Sequence, residues 1–221
     1  IEPAVVFRRA VRLGVGRATS EAELDDVLAH MNGRGLRYAV PVAPQSQPSA
    51  LASWLEKRGF TPGYAWMKFS RPCNGEPQAA CDLDVRVIGR ALRGEFGRVV
   101  AEGFGLPPTV APWIGALAGR ANWVCVMAFA GGTPIAAGAV YVNGDHAWLG
   151  LAATLASHRR HGAQNALLAR RLSEAAARGA RVAVTETGER LPDKPSNSYR
   201  NILRAGFEEM YLRQNYMSPS T

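Results

Sequence analysis

Residues 153–168 read Ala-Thr-Leu-Ala-Ser-His-Arg-Arg-His-Gly-Ala-Gln-Asn-Ala-Leu-Leu, and they hold the residue types best suited to chemistry in this chain. Arg159 and Arg160 bring positive charge to a short turn, His161 adds to it when protonated, and Gly162 stands at its tightest point. An apolar run from Ala147 to Leu155 precedes the turn and reads as a buried strand. After the turn, Leu168, Leu172, Ala175 and Ala176 are spaced to share one helix face. A glycine lets backbone approach a ligand closely. A helix opening just after it presents unpaired N–H groups and a positive dipole end. Those groups suit an anion, above all a phosphate. The same pattern is also what a plain strand-to-helix turn with solvated arginines would show.

The elements that must position this turn follow from periodicity and punctuation. Val5 to Leu13 is a strand candidate. Ser20-Glu21-Ala22-Glu23 has the form of a capping box. Leu24, Val27, Leu28 and Met31 then mark an amphipathic helix that stops near Gly33 and Gly35. Leu36 to Val42 reads as a strand, Leu51 to Arg58 as a helix closed by Gly59-Phe60, and Tyr64 to Phe69 as another strand. Residues 71–82 are rich in Pro, Gly and polar types and read as a linker. Beyond it come a strand from Leu83, a helix over 91–104 and a second helix over 110–117. The strands 123–130 and 134–142 form a hairpin, and Asn143-Gly144 turns the chain into the strand 147–155. A helix over 164–178, a strand over 181–187, a helix over 197–204 and a last strand over 210–216 complete the order.

The 221 residues are 47% hydrophobic and 20% charged, ordinary values that leave enough apolar side chain for a real core. No apolar run is long enough for a membrane span, so no membrane partner is expected. Cys73, Cys81 and Cys125 are odd in number and lack metal-ligand spacing, which indicates neither a disulfide framework nor a metal site. A reducing, cytoplasmic setting is the expectation. The net charge is +8, but the lysines are only Lys57, Lys68 and Lys194, and no basic block with interleaved aromatics occurs. Nucleic acid is therefore not expected, while a polyanionic small ligand is.

The two ends of the chain resemble each other. Arg34-Gly35-Leu36-Arg37-Tyr38-Ala39-Val40 is similar to Arg178-Gly179-Ala180-Arg181-Val182-Ala183-Val184. Leu55-Glu56-Lys57-Arg58-Gly59-Phe60 is similar to Ile202-Leu203-Arg204-Ala205-Gly206-Phe207. Order and spacing agree, which suggests a duplication. The first copy lacks the basic turn. At its place stands Gly14-Val15-Gly16-Arg17-Ala18-Thr19, and its helix opens with Glu21, Glu23, Asp25 and Asp26. Carboxylates in a first turn satisfy the dipole and repel phosphate. One anion site, in the C-terminal half, is the expectation.

The turn is neither Gly-x-x-x-x-Gly-Lys-Ser/Thr nor Gly-x-Gly-x-x-Gly. Arg159-Arg160-His161-Gly162-Ala163-Gln164 resembles the acetyl-CoA loop of the GNAT acetyltransferase superfamily, Gln/Arg-x-x-Gly-x-Gly/Ala, and departs from it at Gln164. A long side chain there either crowds the pyrophosphate or points away and leaves the backbone amide in place. The element order over 83–221 and the Gly206-Phe207 ending are similar to the same family. The resemblance implies an α/β (α+β) acyl-CoA N-acyltransferase fold: a mixed, mostly antiparallel sheet flanked by helices, preceded by a partial repeat. It implies a degenerate half-module over 1–72, a linker over 73–82 and an N-acetyltransferase domain over 83–221. Acetyl-CoA would be the acetyl donor, with no metal. Backbone at Ala153, Thr154 and Leu155 would take the pantetheine, and Arg159, Arg160, His161, Gly162, Ala163 and Gln164 the pyrophosphate. Ser198 and Asn201 would flank the thiol.

Acetylating an amine needs a base for the amine and an acid for the departing thiolate. The position at which many relatives carry an acidic Tyr is Ile202 here, and Tyr199, one turn earlier, is the substitute. It is equally the profile of a packed helix aromatic. Glu186 is the candidate base. The strand 181–187 puts Val182, Val184 and Glu186 on one face, where a carboxylate is unusual, although a strand end in solvent would also explain it. Glu102 and Glu189 are the next choices. The expected acceptor is a primary amine on a small molecule or a protein, and a homodimer is compatible with the pattern. A non-catalytic acyl-CoA-binding module is the alternative, with Ile202 as its main support.

Overall fold

Ser20 begins the first helix as the sequence requires. In the computed structural model, which describes residues 5, 7–74, 83–192 and 197–219, its hydroxyl accepts from the Glu23 amide, and the Glu23 carboxylate accepts from the Ser20 amide. Helix α1 spans Glu21–Asn32, followed by β1 at Ala39–Val42, α2 at Leu51–Lys57 and β2 at Thr61–Pro72. Then come β3 (Asp84–Ile88), α3 (Arg93–Gly103), α4 (Ala111–Gly115), β4 (Trp123–Ala130), β5 (Thr133–Asn143) and β6 (His146–Thr154). Helix α5 (Ala163–Ala177), β7 (Val182–Gly188), α6 (Asn197–Arg204) and β8 (Glu208–Met217) follow. The described elements combine strands and helices in an α+β arrangement. Strand pairing is antiparallel for β1–β8, β3–β4, β4–β5 and β5–β6 and parallel for β6–β7.

The chain packs as two compact units that interleave in sequence. The described parts of Ile1–Lys68, Thr187–Lys194 and Met210–Thr221 form one, and those of Phe69–Glu186 and Pro195–Glu209 the other. In the first unit the strand order is β1-β8-β2, so the chain's last strand lies between two strands from its beginning. Val40 pairs with Tyr216, and both face the apolar cluster of Leu24, Leu28, Tyr38, Leu51, Leu55 and Phe60. A separate partial copy of the fold is therefore not evident in residues 1–72, because β8 completes their sheet.

Among the described residues, the expected strand Val5–Leu13 does not form, and this stretch makes a single parallel bridge, Arg9 to Ala39. The Ala39 amide donates to Arg8 and the Ala39 carbonyl accepts from Ala10. Arg12 takes φ 73°, which ends any extended run there. Of the linker, residues 75–82 lie outside the described residues, Cys81 among them. Cys73 and Cys125 are free thiols, and burial pushes Cys125 up to about 12, so it is no nucleophile.

In the second unit the strand order is β7-β6-β5-β4-β3. Alternation along β4 and β5 splits its side chains between two faces. Cys125, Met127, Phe129, Ala137 and Ala139 pack with Phe96, Val99 and Val100 of α3 and with Ile114 of α4. Helix α5 covers the other face with Leu167, Leu168, Leu172 and Ala175, all buried. The helix pair α3/α4 is held close by glycine. A Cβ on Gly97 would stand 2.0 Å from the Ala111 carbonyl oxygen.

Candidate functional site

Three local features of the second unit mark the start of α5 as a candidate anion site. Gly162 is the helix N-cap and has φ 79°, a left-handed conformation that strains any side chain. Among the described residues no side chain caps the helix, and its first turn has no acidic residue. Its leading amides are therefore left for a ligand or solvent. Arg159, Arg160 and His161 are exposed beside it, and among the described residues neither arginine meets a carboxylate. Arg160 is itself left-handed, at φ 69°.

At the N-terminal counterpart, the chain's own side chains occupy the helix start. Ser20 and Glu23 satisfy the start of α1. Arg17 bridges Glu23 at 2.7 Å, and Arg58 takes Asp25 at 2.6 Å and Glu21 at 2.9 Å. The hydrogen bond from Arg17, with that from the Ser20 amide, holds the Glu23 carboxyl at about 2.

Gln164 does not enter the loop mouth. Its Nε2 donates to Thr154 Oγ1 at 2.7 Å, tying α5 back to β6. Of the two readings of this residue, the structure has the one in which the side chain turns aside. Ala163 is buried beneath it.

Strands β6 and β7 pair only from His146 to Leu149 and from Val182 to Thr185. The last bond near that end is from Thr185 Oγ1 to the Leu149 carbonyl, 2.8 Å. Beyond it, Gly150–Thr154, which includes Ala153 and Thr154, runs on alongside β5 without β7. Gly103 at the end of α3 meets this stretch: a Cβ there would be 2.6 Å from that of Ala153. Pairing of β6 with β5 also shifts. Ala139 faces Gly150 but Ala137 faces Ala153, so β6 carries one extra residue. Leu151, inside that bulge, has φ 54°.

Sequence reasoning missed one residue of this region. Arg171 of α5 is 3% exposed and sits against Gly138 of β5. Its Nη1 donates to the Gly150 carbonyl at 3.2 Å and to the Ala139 carbonyl at 3.4 Å, and its Nε to Leu167 at 3.0 Å. Burial alone lowers it to about 10, still a cation at neutral pH. The available signal was its position, on the apolar stripe of α5 between Leu168 and Leu172.

The candidate catalytic groups are placed as follows. Glu186 is half-buried and comes one residue after the last β6–β7 pair. Val182 and Val184, on its face, are half-buried too. Tyr199 is 4% exposed and packs edge-on against Phe69 at 4.9 Å. Its hydroxyl donates to Glu209 Oε1 at 2.6 Å. Ile202 is buried on the same helix. Ser198 is exposed and Asn201 half-buried. Glu102 forms a surface pair with Arg98, and Glu189 accepts from the Ala65 amide at 3.3 Å. His146 pairs with Asp145 at the turn end of β6, away along the strand from the basic loop. Phe104 and Trp113, 51% and 72% exposed, flank the loop between α3 and α4.

Comparison with known proteins places the fold. No family model matches the sequence, and no curated protein sequence matches it. Solved structures do match. One is described as a GCN5-related N-acetyltransferase from Kribbella flavida: TM-score 0.70, 18% identity, covering 96% of this chain and 81% of that one. A GCN5-related N-acetyltransferase from Sphaerobacter thermophilus gives TM-score 0.70 at 16% identity over 90% of this chain and 68% of its own. A tandem GNAT protein from the clavulanic acid biosynthesis pathway gives TM-score 0.66 at 14% identity over 96% and 72%. The chain thus has the GNAT fold. Among the described residues, no helix is long and apolar enough to cross a membrane, and no three His, Cys, Asp or Glu side chains cluster as a metal site.

Proposed function

We propose that this protein binds acetyl-CoA and moves its acetyl group to a primary amine. The observation that carries the reading is the start of α5. A left-handed Gly162, an uncapped helix end without carboxylates and three exposed basic residues stand beside a strand that has parted from its neighbour. The amides after Gly162, with Arg159, Arg160 and His161, hold the pyrophosphate. The backbone of Ala153, Thr154 and Leu155 takes the pantetheine amides, while Ser198 and Asn201 of α6 flank the thiol. Bound, the cofactor supplies an activated acetyl thioester. The chain's part is to orient it, to take a proton from the amine and to return one to the sulfur. Glu186, half-buried near where β6 and β7 separate, is the proposed base. Tyr199 is the proposed acid, and its proton must first leave the 2.6 Å bond to Glu209.

That bond favours a second reading. With Ile202 buried nearby and the Tyr199 proton held by a carboxylate, the chain would bind acyl-CoA without turning it over. We further propose that the α1-β1-α2-β2 and α5-β7-α6-β8 segments descend from one duplicated segment, which the interleaved units accommodate. The partner is a small-molecule or protein amine, and the setting is cytoplasmic. Titration calorimetry with CoA and acetyl-CoA, followed by thiol release with an amine panel, tests the whole. Binding with turnover supports the enzyme, binding without turnover the second reading, and no binding rejects both.

A further inference from the structure

The interior of the second unit holds a buried cation, Arg171. Position 171 lies on the apolar stripe of α5, flanked by Leu168 and Leu172, where a leucine would fill the space without desolvating a charge. The guanidinium instead contacts three backbone carbonyls. Two of them, Ala139 and Gly150, belong to the last regular pair before the β6 bulge, and one nitrogen, Nη1, bonds both. The neighbouring residues fit around this arrangement. Gly138 has no side chain, and a Cβ there would stand 3.1 Å from the guanidinium carbon. A Cβ on Gly150 would run into the Trp148 ring at 2.0 Å. Leu151, next in the chain, is left-handed without being glycine, a conformation that persists only where its surroundings hold it.

The bulge has a consequence for every residue after it. One extra residue reverses which face each later side chain takes. With the bulge, Ala153 pairs with Ala137 on the α3 side, and Thr154 reaches Gln164 on the α5 side. Without it the two would exchange faces, and the backbone groups of 153–155 would reverse direction with them.

We propose that Arg171 is a positioning residue for the donor site: by holding the Ala139 and Gly150 carbonyls it fixes the β6 bulge, and the bulge sets the register in which Ala153–Leu155 meets an acyl-CoA. The proposal rests on the CoA reading for its ligand and on geometry for its mechanism. Arg171 touches no reacting atom. It acts through backbone.

The test compares Arg171→Met, Arg171→Lys and Gly138→Ala in the full chain. Each is measured by thermal unfolding, by calorimetric CoA titration and by amide NMR signals of residues 150–155 and 160–164. Arg171→Met is expected to weaken CoA about tenfold and to shift the 150–155 signals while 160–164 hold. Arg171→Lys, which keeps the charge and one carbonyl contact, should recover most of that affinity. Gly138→Ala displaces the guanidinium without removing it and should fall between. If Arg171→Met does not fold, Gly138→Ala decides on the same readouts. Folded variants with wild-type CoA affinity and unmoved 150–155 signals overturn the proposal. A wild-type chain that does not bind CoA rejects the CoA reading. The NMR comparison then still judges the bulge mechanism, which stands if 150–155 shift and falls if they do not.

Discussion

Replacing Gly162 with valine separates a backbone anion site from a basic surface patch. Gly162 holds φ 79° at the N-cap of α5. An L-residue forced into that region costs roughly 1–2 kcal/mol, and β-branching places valine at the upper end. Two responses are open to the chain. If the left-handed turn is kept, the strain is present with and without ligand, so stability falls by about that amount and CoA affinity changes little. If the turn relaxes to negative φ, the amides after it swing away, and restoring them on binding costs the same roughly 1–2 kcal/mol, a factor of about 5–30 in Kd. The second response is expected. The helix mouth is exposed, and among the described residues no side chain caps it to resist the change. Gly16 is the control. It is also left-handed, at φ 85°, a Cβ there would meet nothing within 4 Å, and it sits in the N-terminal counterpart of the loop. Calorimetry with CoA should show a loss of at least about fivefold for Gly162→Val and none for Gly16→Val. Equal losses in the two variants, or an unchanged Gly162→Val affinity without the loss of roughly 1–2 kcal/mol in stability that marks a kept turn, would mean that the loop backbone does not make the anion site.

Removing the side chain of Arg159 or Arg160 should weaken CoA by about 1–2 kcal/mol, the scale of one charge-assisted hydrogen bond, with only a modest salt dependence; calorimetry at two ionic strengths checks this, and a larger loss would place the site in the arginines. Tyr199→Phe removes the donor to Glu209 and should lower stability by about 1–3 kcal/mol in urea unfolding; thiol release that survives in this variant would exclude Tyr199 as the acid. Glu23 has its folded pKa depressed from 4.5 to about 2, so its contribution is present above pH 4.5 and is lost as pH falls through 2. Acid unfolding of Glu23→Gln should lack that part of the pH dependence. Gly97→Ala drives a methyl to within 2.0 Å of the Ala111 carbonyl, so α3 and α4 must move apart, and a fall in Tm is expected.

What depends on neighbours along the chain was legible in the residues alone. The Ser20–Glu23 capping box, the Asn143-Gly144 turn and the limits of α6 are settled within a few residues, because caps and tight turns satisfy backbone groups locally. The tight turn at Gly162 ahead of a helix was legible for the same reason, and its left-handed φ came with the structure. Features that need distant partners emerged only from the folded chain. Val5–Leu13 has a strand's composition, yet among the described residues its one bridge is to Ala39, since a strand exists only where a neighbour offers matching backbone. β8 reads as the end of the C-terminal half, but its residues from Met210 onward complete the sheet of β1 and β2, a pairing between opposite ends of the chain. No local pattern announces the extra residue in β6, and the place of Arg171 on an apolar stripe signals burial without naming the two strand carbonyls it meets. Both follow from how α5 lies across β5 and β6, where Gly138 leaves room for a guanidinium and the buried carbonyls require a donor.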